Sequence, residues 1–221
     1  MRILFIFLAA NLLLLHRGCS GQSLQKFKVP SGANEPTIKK GSYIYVSNLL
    51  KPNRFDFICF KSKNPQMGEY TAVFRLCGLE GDTVEIKEGD LYVNGPLADK
   101  TFNLMNQYVI LKSEFAKIVD SVDINSTYTN STNDSVYIVL SSAFVQRNKI
   151  KSGRVIIDKS QEDKEIRQIF SKRWNQDHFG PVIVPANCYF VLGDNRHQAM
   201  DSRYLGFIPK EDFVATVFAK K

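Results

Sequence analysis

The chain has 221 residues, enough to bury one substantial core or one core carrying an inserted lobe. Its 44% hydrophobic and 23% charged residues exclude an intrinsically disordered chain. The net charge of +7 comes without a basic stripe or a recognised nucleic-acid motif, so nucleic acid is not an expected partner. The excess lysines read as scattered solvated side chains or as attraction to an anionic membrane surface.

Residues 1–21 read as a signal peptide or short membrane anchor. Arg2 supplies a positive start, and Ile3 to Leu15 form an apolar run broken only by Asn11. As a helix this run spans about 20 Å, short of the ~30 Å hydrocarbon core, which suits a cleavable signal peptide better than a full span. Cys19 after Gly18 suggests a lipoprotein site, although His16 and Arg17 stand where small or apolar residues are expected. Cys19 and Gly21 offer a small-x-small cleavage site, and a short anchor is the third reading. All three export the folded part, to an extracytoplasmic, membrane-associated position that is periplasmic in a Gram-negative source.

After residue 26 the pattern is mainly β. Alternating or β-branched runs occur at Tyr43–Val46, Phe55–Phe60, Tyr70–Leu76, Thr83–Ile86, Leu91–Val93, Val136–Leu140, Val155–Ile157, Cys188–Leu192 and Phe213–Phe218. Turn signals such as Lys87-Glu88-Gly89-Asp90 punctuate them. Many short strands with turns between them predict packed antiparallel sheets. The Ser/Thr/Asn/Asp-rich stretch Asp120–Ser135 reads as an exposed loop or hairpin tip, and its Asn-x-Ser/Thr triplets at Asn125, Asn130 and Asn133 as loop chemistry. One short amphipathic helix follows, with Ser160 as cap, Glu162 and Asp163 in the first turn, and Ile166, Ile169, Phe170 and Trp174 on one face. Cys59, Cys77 and Cys188 sit in apolar runs and read as buried small hydrophobes, with a bond between two of them left open. His16, His178 and His197 are too scattered, and the cysteines too unfavourably spaced, to suggest a metal. No cofactor is expected.

Four boxes carry the functional signal. They are Ser31-Gly32-Ala33-Asn34-Glu35-Pro36-Thr37, Phe55–Phe60, Arg75-Leu76-Cys77-Gly78-Leu79-Glu80-Gly81-Asp82, and Gly193-Asp194-Asn195-Arg196 with its tail Asp201-Ser202-Arg203-Tyr204 and Gly206. In order and spacing they resemble the boxes of type I signal peptidases: Ser-Gly-Ser-Met-x-Pro-Thr, Gly-Asp-Ile-Val-Val-Phe, Lys-Arg-x-x-Gly-x-x-Gly-Asp, and Gly-Asp-Asn-Arg followed by Asp-Ser-Arg. The matches cover most of residues 28–95 and 180–219. The resemblance implies a signal peptidase-like core at 22–95 and 179–221, with 96–178 as the family's variable inserted lobe.

The resemblance also implies a Ser–Lys dyad, whose lysine loses its proton on an apolar strand and acts as base. This chain departs from it. Ala33 stands at the nucleophile position, and a methyl group is no nucleophile. Phe74 stands at the lysine position, and neighbouring Arg75 cannot be a general base. Ala199 stands where a serine commonly hydrogen-bonds the lysine. Ser31 keeps the hydroxyl that helps form the family's oxyanion hole, and with the Ala33 N–H it could bind a peptide carbonyl; as a bland alternative it caps a turn. Asp194, Asn195 and Arg196 read as loop-bracing residues, and Asp201 with Arg203 as a charge-assisted pair. Asn34 replaces the usual methionine.

The expected function is therefore a catalytically silent signal peptidase I homologue retaining a cleft for an extended peptide or signal-peptide segment, or for another membrane or exported protein. The alternative is an active endopeptidase using displaced residues, such as Ser31 with Lys39 or Lys40. A structural subunit acting through residues 96–178 is a third reading.

Overall fold

The computed structural model describes residues 24–64, 68–123 and 128–221. The leader, residues 1–21, and Asn125 lie outside the described residues. Among the described residues fourteen strands alternate with short helices. In chain order they are β1 (Leu24–Lys28), β2 (Tyr43–Ser47), β3 (Phe57–Asn64), β4 (Gly68–Gly78), β5 (Thr83–Lys87), β6 (Asp90–Val93), β7 (Met105–Leu111), β8 (Tyr128–Ser131), β9 (Ser135–Ser141), β10 (Ser152–Arg154), β11 (Phe179–Ile183), β12 (Cys188–Leu192), β13 (Ile208–Pro209) and β14 (Phe213–Lys220). The α-helices are α1 (Lys112–Phe115), α2 (Ser142–Arg147), α3 (Lys164–Phe170) and α4 (Ser202–Leu205).

The strands form three sheets, all with antiparallel pairing: β1-β2-β14-β3-β4-β12-β13, β10-β7-β9-β8 and β11-β5-β6. The mainly β, antiparallel expectation holds. Local chemistry accounts for the hairpins. Lys87 pairs with Asp90 across Glu88 and Gly89, whose φ values of 51° and 76° are the two left-handed positions of a type I′ turn. Alternation then puts Val84, Ile86, Leu91 and Val93 inside, against Cys77, Phe179, Phe190 and Ile166 of α3. The four-stranded sheet has its own core, where Tyr108, Ile110, Val136, Ile138 and Leu140 meet.

The elements differ from the sequence pattern in places that have physical reasons. Strand β7 begins Met-Asn-Gln, and its buried Asn106 interrupts the alternation that would have marked it. Val155–Ile157 is irregular instead of a strand; the pairing with β7 ends at Arg154, and the Ile157 N–H donates instead to Asp177. Helix α3 starts later than expected because Asp163, not Ser160, caps it, accepting from the N–H groups of Glu165 and Ile166. Ser160 closes a turn with Asp158. Of the expected apolar face, Ile166 is fully buried, Phe170 and Trp174 pack against the same core, and Ile169 is 47% exposed. The three described cysteines are free thiols, and burial pushes those of Cys59 and Cys77 up to about 12. Among the described residues no helix is long and apolar enough to cross a membrane.

Candidate functional site

The four boxes meet at the end of β4 where β12 enters. The register of β3 with β4 and the bond from the Leu76 N–H to the Asp56 carbonyl turn the polar groups of Leu76, Phe74 and Ala72 toward β3. Those of Arg75, Val73 and Thr71 therefore face the other way. Strand β12 pairs β4 on that side only from Arg75 onward, with Leu192 opposite Arg75 and Val191 opposite Leu76. Val73 and Thr71 thus form a strand edge with no neighbouring strand among the described residues.

The turn Ser31–Thr37 faces that edge. It is stitched to the last box by backbone: the Asn195 N–H donates to the Ala33 carbonyl at 3.0 Å and its side-chain amide to the Gly32 carbonyl at 3.2 Å. It is stitched to β4 by Asn34, which is buried and whose amide donates to the Val73 carbonyl at 2.7 Å. Asn34 thus occupies one of the outward-facing acceptors of the edge. Ser31 is exposed, and neither its hydroxyl nor the Ala33 N–H bonds another described residue.

Ala33, Phe74 and Ala199 come together around Gly193. A methyl group built on Gly193 would collide with the Ala199 Cβ and lie 2.5 Å from the Ala33 carbonyl oxygen and 3.3 Å from the Phe74 ring. Only glycine fits there, which explains the first residue of the Gly-Asp-Asn-Arg box. Phe74 and Ala199 are buried in a cluster with Ile58, Phe60, Leu76 and Val191, and Ala33 packs on its margin. The Phe74 ring lies 6.2 Å from that of Phe60.

Charge is concentrated one layer away, in three buried ion pairs that hold the loops. Asp194 accepts from Arg75 at both oxygens, at 2.7 and 2.5 Å, and also from the Thr37 hydroxyl. The Arg75 guanidinium is stacked between the rings of Phe57 (4.3 Å) and Phe102 (4.4 Å) and donates to the Phe55 carbonyl. Arg196 pairs with Asp99 at 2.8 Å and donates to the Gly193 carbonyl. Asp201 binds Arg203 through both oxygens and also accepts the Gly193 N–H. The Arg203 guanidinium is 1% exposed; burial works against its charge, but Asp201 outweighs burial and holds its pKa above the ordinary value. The expected Asp201–Arg203 pair is therefore a fully buried anchor of the Gly193 loop.

The Arg75 box ends at Asp82, where burial is opposed by the Leu79 N–H, Asn94 and Arg54, and the carboxyl is held below its ordinary range. Sequence reasoning singled out neither Asp99 nor the structural role of Arg75. Asp99 lies in a motif-free stretch and carried no signal. Arg75, which cannot serve as a base, is instead the partner of Asp194.

Lys39 and Lys40 are exposed in the turn after the box; the Lys39 carbonyl accepts from Ser42 and the Lys40 N–H donates to Glu35. His197 is held elsewhere, its Nδ1 accepting from the Gln107 N–H and its Nε2 standing 3.8 Å from Asp177. Among the described residues no group of three or more His, Cys, Asp or Glu side chains is placed to hold a metal ion.

The family described as "Signal peptidase, peptidase S26" matches residues 2–220. A signal peptidase I of Aquifex aeolicus (strain VF5) is 27% identical over 206 residues, covering 88% of this chain and 74% of that protein. Another, from Buchnera aphidicola subsp. Baizongia pistaciae (strain Bp), is 27% identical over 216 residues, covering 87% and 68%. A solved signal peptidase I from Enterococcus faecalis V583 is 25% identical, with a TM-score of 0.38, covering 76% of this chain and 98% of that one.

Proposed function

The chain belongs to the signal peptidase (peptidase S26) family, and from that premise we propose that it is a catalytically silent member that binds an extended peptide without cleaving it. One observation carries the reading: Ala33, Phe74 and Ala199, which match the family boxes at the nucleophile, base and base-partner positions, come together around Gly193. A Ser–Lys mechanism needs a hydroxyl, a neutral amine and a group to orient it, and these three supply none. The site is consistent in itself, because polar partners left behind without the lysine would cost about 1–3 kcal/mol each when buried.

Binding is supported by what remains. The open groups of Thr71 and the Val73 N–H offer a ladder for an added strand, and the Ser31 hydroxyl with the Ala33 N–H offers two donors to one carbonyl. The ligand class follows from the family: an extended, signal-peptide-like segment with small side chains. Membrane association belongs to the same proposal. Leu24, Leu49, Leu50 and Phe218 are exposed (72%, 58%, 43% and 49%) on or beside β1, β2 and β14. The active alternative draws on the unengaged Ser31 hydroxyl, but the exposed lysines of its turn lack the desolvation that would make one a base.

Fluorescence polarisation with a labelled Ala-x-Ala peptide tests the reading on the full chain in detergent. Saturable binding, weakened when the peptide's backbone amides are N-methylated, is expected. Absence of binding, or binding indifferent to N-methylation, would overturn peptide recognition by strand addition.

A further inference from the structure

A second cavity lies away from the Gly193 site, between β5, β11 and the segment that follows α3. Its volume is about 370 Å³, within the range of small-molecule sites. Half-buried Trp174 supplies its apolar wall, backed by the buried ring of Phe179 4.9 Å away. Around that wall stand Lys87, Lys159, Lys172, Arg173 and His178, against one lining carboxylate, Glu85.

The pairing inside this set is uneven. Glu85 takes Lys87 at 2.7 Å, and Glu162 takes Arg173 at 3.0 Å. Lys159 and Lys172 have no carboxylate partner among the described residues. Two unneutralised ammonium groups beside a half-buried indole make a site with excess positive potential and one planar face. Water alone satisfies the ammonium groups, but the wall cannot be satisfied by water. The complementary ligand is an anion carried on a compact body whose C–H face can lie on an aromatic ring.

We propose that this cavity binds a phosphate group borne on a sugar or polyol, with Lys159 and Lys172 meeting the phosphate and Trp174 the polyol face. Phosphate suits two point-charge ammonium donors, and the remaining cations add field without needing contact. The same chemistry is presented by a soluble sugar phosphate and by a phosphoglycerol headgroup at a bilayer surface.

Trp174 is the chain's one tryptophan, so its fluorescence reports this cavity alone. Full-length protein in detergent is titrated with glucose 6-phosphate, inorganic phosphate and glucose, and reconstituted protein with vesicles of phosphatidylglycerol or of phosphatidylcholine. The proposal expects a saturable change with glucose 6-phosphate, a weaker one with phosphate and none with glucose. A response to phosphatidylglycerol vesicles alone supports it equally and assigns the phosphate to a lipid. The variant K159Q/K172Q, altered only at exposed side chains, should lose at least ten-fold in affinity with an unchanged melting temperature. Equal titrations by glucose and glucose 6-phosphate, no response to any phosphate-bearing probe, or an undiminished response in the double variant would overturn it.

Discussion

Removing Asp201 tests whether the Gly193 loop is held by buried charge. Asp201→Ala deletes two bonds to Arg203 (2.9 and 2.8 Å), the acceptor for the Gly193 N–H (3.0 Å) and the cap of α4. Arg203 is then left with the carbonyls of Arg196 and Gln176, and its charge is 1% exposed. Breaking one member of a buried pair costs about 3–5 kcal/mol. With a urea slope near 3 kcal/mol per M, the unfolding midpoint falls by about 1–2 M. The double variant Asp201→Ala/Arg203→Met removes the stranded charge and should recover part of that loss. Lys210→Ala is the control, since its partner Glu80 is exposed and the pair should not move the midpoint. Equilibrium urea denaturation followed by circular dichroism reads all three. If Asp201→Ala shifts the midpoint no more than Lys210→Ala, or the double variant is worse than the single, the loop is not held in this way.

Gly193→Ala forces a methyl against Ala199, Ala33 and Phe74 and should destabilise by about 1–3 kcal/mol in the same denaturation assay; an unchanged midpoint would mean the three positions are not packed together. Asn34→Met releases the Val73 carbonyl to the open edge and should tighten peptide binding in the polarisation assay, whereas weaker binding would place the peptide elsewhere. Acid should destabilise the fold through Asp82 and Asp177. In both, burial is outweighed: at Asp82 by Leu79, Asn94 and Arg54, at Asp177 by His197 and the Ile157 N–H. Their folded pKa values lie below the ordinary 3.8, so the stability they contribute is complete above that pH and is lost as the pH falls through the folded values. Asp82→Asn should flatten the dependence of the urea midpoint on pH below 3.8, and a slope equal to that of the parent chain would contradict the assignment.

The sequence was most legible where short-range chemistry decides structure. Lys87-Glu88-Gly89-Asp90 was legible as a turn, because glycine readily takes the left-handed backbone that Gly89 adopts here. Gly193 and its neighbours were recognisable as a box, and Asp201 and Arg203, two residues apart, were an evident pair. Long-range partnerships were not legible. Nothing in the chain before β7 says that Asp99 will meet Arg196, 97 positions away, or that Asn34 will reach Val73. Burial also changed the weight of what was read. The pair Asp201–Arg203, legible as a charge-assisted pair, is a fully buried core element in three dimensions, whereas Ile169, expected on the apolar face with Ile166, is 47% exposed.

The central claim is that Ala33, Phe74 and Ala199 leave no chemistry at this site. Incubating the purified full chain with a preprotein that carries an Ala-x-Ala cleavage site, and following the products by mass spectrometry, tests it directly. The account predicts intact preprotein after prolonged incubation. Mature protein released at the Ala-x-Ala site by the parent chain, and not by its Ser31→Ala variant, would contradict it.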